Sequence, residues 1–154
     1  MRQQGLENGQ KGVQSPYTQA ALVNTTIRHR QVLHVQSLSH WAPVCVGPYS
    51  QAVASGELVF SSGQIGLDPA TGNMVDSSVE AETEQVFRNL AAVLEAAGSG
   101  MDRAVKVTVF LTDMDRDFAA MNEVYRETFE SVQATRTTVA VDALPTPIAL
   151  EFKV

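Results

Sequence analysis

Two stretches of helical periodicity flank one alternating strand, and no third helix follows them. Val86, Leu90, Val93, Leu94 and Ala97 recur at the spacing of one helix face, and Gly98 supplies a stop. Ser77 with Glu80 reads as a capping box, so a helix is predicted over 78–97. Residues 104–112 (AVKVTVFLT) alternate, which puts Val105, Val107, Val109 and Leu111 on one face of a strand. Phe118, Met121, Tyr125 and Phe129 form the apolar stripe of a second helix over 117–130, with Asn122 on the same side. Two such helices can cover one face of a sheet of about four to six strands. The other face needs cover from elsewhere, so the chain is expected to self-associate through it.

The remaining segments complete the sheet. SQAVAS and LVFSS flank Gly56 and Glu57, which predicts a hairpin over 50–62. LDPATGN (67–73) is a turn. Strands over 136–142 and 148–154, joined by ALPTP, close the chain. The order is β-β-α-β-α-β-β, an α/β chain of the α+β kind with both helices on one face of the sheet.

In strand 136–142, Arg136, Thr138, Ala140 and Asp142 share one face, and Thr137, Val139 and Val141 the other. The valine face is expected under the helices and the arginine face on the open side. In the last strand Ile148, Leu150, Phe152 and Val154 share one face, and Glu151 and Lys153 the other. This pairing is expected to bring Arg136 and Glu151 to the same side. The Arg136 guanidinium is then either a clamp for a ligand carboxylate, matched by its planar fork, or half of a salt bridge to Glu151 or to an acid of a neighbouring subunit.

Composition excludes several chemistries. A chain of 154 residues holds one domain with a proper core. No apolar run approaches the ~20 residues of a membrane span. Cys45 is the only cysteine, so no internal disulfide forms, and a reducing, cytoplasmic compartment is expected. Between Val44 and Val46, Cys45 reads as a small buried hydrophobe. His29, His34 and His40 all precede residue 41. The body after them therefore has no imidazole for a Ser–His–Asp or Cys–His engine, and a catalytic zinc site is disfavoured. Asp113, Asp115 and Asp117 lack the glycine and glutamate of a calcium loop and read as turn and capping residues.

Charge divides the chain. Residues 1–40 carry Arg2, Lys11, Arg28 and Arg30 against Glu7, while residues 41–154 carry 7 basic against 16 acidic residues, a net −9. An acidic body is a poor match for a phosphate backbone, so nucleic acid is not an expected partner. Residues 1–40 read as a flexible extension, beginning with MRQQGLENGQKG, and 19–35 could form a strand or a helix. The acid-poor composition also fits a transit peptide, with a mitochondrial location as the alternative.

GPYSQAV (47–53), VFSSGQIGLDPATG (59–72), NLAAVLEAAGSGMDRAVKVTVFLTDM (89–114), DFAAMNEVY (117–125) and R-T-T-V (136–139), with ALP and a late Glu, resemble the Rid proteins. These are the RidA, or YjgF-type, reactive intermediate deaminases, and the resemblance covers about residues 42–154. It implies a chorismate-mutase-like fold and a homotrimer whose sheets close a central barrel, with ligand clefts between subunits. It implies hydrolysis of enamines and imines such as 2-aminoacrylate to 2-oxo acids and ammonia. No metal or organic cofactor and no membrane are expected. Carried over position by position, Arg136 would hold the substrate carboxylate and Glu151 would activate water as general base. Tyr49, Ser62, Gly63 and Asn122 would line the cleft with Thr138, which stands where the family commonly has cysteine.

The resemblance has departures. Ala134-Thr135 replaces the usual Pro-Ala before Arg136, the connection from the second helix is about three residues short, and Glu151 lies close to Val154, where fraying is expected. A second likeness, of residues 34–52 to the Rid-like domains of eukaryotic diphthine–ammonia ligases, would make residues 1–33 the remnant of a preceding domain. Beside the deaminase stand two alternatives, a non-catalytic binding or assembly module and an endoribonuclease or translation inhibitor.

Overall fold

The computed structural model describes residues 47–75 and 78–154, and the backbone of two short strands within 25–33. Those strands, β1 (Thr25–Ile27) and β2 (Arg30–Leu33), lie where the sequence left strand and helix open. The rest of residues 1–46, with Cys45, lies outside the described residues, as does Ser77.

The expected hairpin forms as β3 (Ala52–Ser55) and β4 (Leu58–Ser61), with Gly56 at φ 61° in its two-residue loop. In the next turn the Asp68 carboxylate accepts from the Ala70 N–H and the Thr71 hydroxyl. Helix α1 spans Val79–Ala96. Its cap is Ser78, one residue beyond the expected box, and the Ser78 hydroxyl accepts from the Ala81 N–H at 3.2 Å. Its end is a Schellman motif: Gly98, at φ 76°, donates to the Glu95 carbonyl, and Ser99 donates to that of Leu94. Strand β5 (Lys106–Leu111) follows; Val105 falls outside it and is exposed. Helix α2 (Met114–Phe129) begins earlier than expected because Asp113 caps it, accepting from the Arg116 N–H at 3.0 Å. Strands β6 (Thr135–Ala140) and β7 (Leu150–Lys153) close the chain.

The strands run β1-β2-β3-β4 in one sheet and β6-β5-β7 in another. Residues beyond β4 join the two, because Gln64 and Phe152 exchange both backbone hydrogen bonds. The end of the chain is tied there as well: Ser61 N–H donates to the Val154 carbonyl and Val154 N–H to the Ser61 hydroxyl, each at 2.8 Å. Helix α1 packs on β4 and β7, and α2 on β5. Val86, Leu90, Val107, Val109, Leu111, Met121, Leu150 and Phe152 are fully buried between helices and sheet. Phe87 meets Phe129 and Phe152 edge to face at 5.4 and 4.9 Å. Leu58, Phe60 and Val139 stay exposed, as expected of a sheet whose second face carries no helix among the described residues.

The strand faces correct the sequence reading. β5 and β6 are parallel, with Val107 opposite Arg136 and Val109 opposite Thr138. Directly paired residues share a face. Arg136 and Thr138 therefore lie on the helix side, with buried Val107 and Val109, and exposed Val139 lies on the open side. β5 and β7 are antiparallel, with Val109 opposite Phe152 and Phe110 opposite Glu151. Glu151 is on the open side. Arg136 and Glu151 of one chain thus lie on opposite faces of the sheet, not on the same side. Among the described strands β6 lies at the edge, and the rim of its helix-side face accommodates a long polar side chain beside α2.

The short connection before Arg136 closes tightly. Val132 and Gln133 N–H groups both donate to the Phe129 carbonyl at 3.1 Å, and Gln133 adopts φ 55°. Left-handed backbone costs a residue with a Cβ roughly 1–2 kcal/mol, partly offset in glycine by its greater unfolded-state entropy. Gln133→Gly is expected to stabilise the fold by about 0.5–1 kcal/mol, and Gln133→Val to destabilise it, as read from urea midpoints.

Candidate active site

The expected site residues fall into two groups. The first surrounds Arg136. Phe118, Asn122 and Tyr125 stand at successive turns on one side of α2. Arg136 Nη1 donates to Asn122 Oδ1 at 2.8 Å. The guanidinium carbon lies 4.4 Å from the Tyr125 ring centroid and 5.8 Å from that of Phe118. Asn122 therefore acts on Arg136, fixing the plane of its fork. Among the described residues no carboxylate pairs with Arg136, and the salt bridge to Glu151 of the same chain is ruled out by the strand faces. Thr138, two residues along on the same face, has a buried hydroxyl without a hydrogen-bond partner among the described residues, and so does Tyr125. Burial pushes the Tyr125 phenol up, and the Arg136 charge partly opposes this.

The second group gathers around Gly63 and Glu151. Pro48 sits in a tight turn, with Tyr49 N–H donating to the Gly47 carbonyl at 2.8 Å, and the Tyr49 side chain is exposed. Ser62 ties this turn to the sheet: its hydroxyl donates to the Ser50 carbonyl at 2.5 Å and its N–H to that of Gln51 at 2.8 Å. Buried Gln64 donates through Nε2 to the Gly63 carbonyl at 3.2 Å. Glu151 lies directly over Gly63, where an added Cβ would come within 2.0 Å of Glu151 Oε1. Gly63 is thus required for close approach. Burial pushes the half-buried Glu151 carboxyl above its ordinary value, and Lys153 partly opposes this.

Two supporting residues escaped the sequence reading. Asn89 is fully buried and donates through Nδ2 to the Ile65 and Leu67 carbonyls, both at 2.9 Å. Glu82 is buried on α1 with its carboxylate against the start of β7. Its position four before Val86 extends the buried stripe of α1 and is the signal that marks it. The ALPTP loop borders an open cavity of about 600 Å³ with Thr112 and Arg116, and none of the expected site residues lines it. Among the described residues no group of three metal-ligating side chains occurs, and no helix is long and apolar enough to cross a membrane.

The family model described as Endoribonuclease L-PSP matches residues 39–154. The chain belongs to the RidA/YjgF/RutC family. A RutC family protein of Pyrococcus horikoshii is 46% identical over 112 residues, 73% of this chain and 88% of the relative. The mouse 2-iminobutanoate/2-iminopropanoate deaminase is 41% identical over 112 residues, 73% of this chain and 82% of its own. The crystal structure of E. coli TdcF with bound serine aligns with a TM-score of 0.68 at 40% identity, covering 74% of this chain and 91% of that one. None of these is a diphthine–ammonia ligase, and most of the stretch carrying that likeness lies outside the described residues. In this Rid chain both residue groups lie within the matched span.

Proposed function

We propose that this protein hydrolyses reactive 2-imino acids, and the enamines that tautomerise to them, to 2-oxo acids and ammonia. The observation that carries the reading is Arg136: a guanidinium held by a neutral amide and two aromatic rings, with no carboxylate partner among the described residues. Its fork is free to take a ligand carboxylate through two parallel hydrogen bonds. The mouse deaminase and the serine-bound TdcF, both relatives of this chain, support a small amino-acid-derived ligand.

The opposite faces of Arg136 and Glu151 support a site completed between copies, in a homotrimer. Arg136, Asn122 and Thr138 come from one copy, and Tyr49, Ser62, Gly63 and Glu151 from the next. The exposed apolar side chains of the open face support such an assembly.

Arg136 fixes the substrate by its carboxylate. Glu151 takes a proton from water as the oxygen attacks the C=N carbon, and gives it to the imine nitrogen, leaving a neutral carbinolamine. On collapse Glu151 takes the hydroxyl proton and passes it to the amino nitrogen, the C–N bond breaks as the C=O forms, ammonia leaves, and Glu151 is ionised again. A carboxyl whose pKa burial raises is a stronger base than an ordinary one and suits both the taking and the returning of a proton. The reaction needs neither a metal nor an organic cofactor. Imines hydrolyse unaided, so orientation and one placed water supply most of the acceleration. The acidic body argues against an endoribonuclease.

The test generates 2-imino acids in place with an amino-acid oxidase and traps the survivors with semicarbazide. Wild-type protein is expected to lower semicarbazone yield, and Arg136→Ala to lose on the order of 10²- to 10³-fold in kcat/KM, chiefly through KM. No acceleration across small and bulky imines would leave a binding module.

A further inference from the structure

A buried carboxylate on α1 has no part in the chemistry above. Glu82 is 6% exposed, and it sits where two sheets join. Gln64 and Phe152 form an antiparallel bridge, so a continued ladder would set Gly66 opposite Leu150. That ladder stops. The Gly66 carbonyl accepts instead from the Val75 N–H at 2.8 Å. The Leu150 N–H, on the edge where the Phe152 N–H meets Gln64, is left without its strand partner.

Glu82 fills the gap. Its Oε1 accepts from the Leu150 N–H at 3.3 Å and its Oε2 from the Ala149 N–H at 3.2 Å. The side chain reaches them across Gly66, where an added Cβ would stand 2.5 Å from Glu82 Cγ and 3.2 Å from its backbone. The carboxylate therefore replaces a strand neighbour at the residues immediately before Glu151. The same β7 register sets Glu151 over Gly63. Asp117 of α2 is the nearby acid, and it is held by Arg116 through two hydrogen bonds at 2.6 and 2.7 Å.

We infer that Glu82 is a positioning residue: it pins the start of β7 and so holds the Glu151 carboxylate over Gly63. The inference rests on the proposed role of Glu151 for its kinetic arm alone. Glutamine at this position keeps the side-chain length but offers one acceptor oxygen to two N–H groups. A misplacement of about 1 Å at a reacting group can cost on the order of 10²-fold.

Glu82→Gln and Gly66→Ala are to be compared with wild type. Gly66→Ala displaces the carboxylate without removing it. Both are expected to lower kcat for imine hydrolysis by roughly 10- to 100-fold and to leave KM within about twofold, because Arg136 is untouched. In both, exchange of the Ala149 and Leu150 amides is expected to speed up. The Glu151 carboxyl, followed by ¹³C chemical shift, is expected to titrate closer to an ordinary glutamate as it leaves Gly63. A Glu82→Gln protein that melts lower yet keeps wild-type kcat and Glu151 titration would reduce Glu82 to a stability element and overturn the inference. If wild-type protein shows no turnover, the deaminase reading fails, and amide exchange with the Glu151 titration still decides whether Glu82 holds this strand.

Discussion

Glu151→Gln is expected to lower kcat for imine hydrolysis on the order of 10³-fold and to leave KM within about twofold. Glutamine keeps the shape over Gly63 and removes the basic oxygen, so this variant separates proton transfer from packing. The base works only when ionised, and burial raises its pKa. The acid limb of kcat/KM in the wild type is therefore expected above the ordinary carboxylate range, falling about tenfold per pH unit below it. In Glu151→Gln that limb disappears. Lys153→Met removes the charge that partly opposes the shift, so the limb is expected to move to higher pH. Full activity in Glu151→Gln, or an acid limb that ignores both substitutions, would sink Glu151 as the base.

How much of this was legible from residues alone varied with the kind of pattern. Helix α1 and strand β5 announced themselves because their buried faces repeat cleanly, at Val86–Leu90–Val93 and at Val107–Val109–Leu111. The buried face of β7 was equally clear from Leu150 and Phe152. β6 was misread for a physical reason. A period of two tells which residues share a face, but not which face is covered. In T-R-T-T-V-A the usual inference puts valine inside. The parallel register with β5 does the reverse, and the aromatic cradle on α2 lets an arginine lie inward at the rim. Glu82 was missed because its carboxylate answers to two N–H groups far away in the chain, a need created only when the ladder between Gly66 and Leu150 is broken.

The opposed faces of Arg136 and Glu151 lead to an outcome that a single-chain site does not allow. Arg136→Ala and Glu151→Gln proteins are each expected to be inactive alone. Unfolded together, mixed in equal amounts and refolded, they are expected to regain about one quarter of wild-type turnover. A site between copies is intact when its arginine comes from a Glu151→Gln chain and its glutamate from an Arg136→Ala chain. Random mixing gives each condition a chance of about one half, whatever the number of copies in the ring. Each chain also carries one damaged group into another site, so recovery cannot approach the full value. A site built within one chain would give no recovery at all, since every chain in the mixture lacks one of the two groups. Mixing the folded proteins without unfolding supplies the control: recovery is then expected only as fast as copies exchange between assemblies.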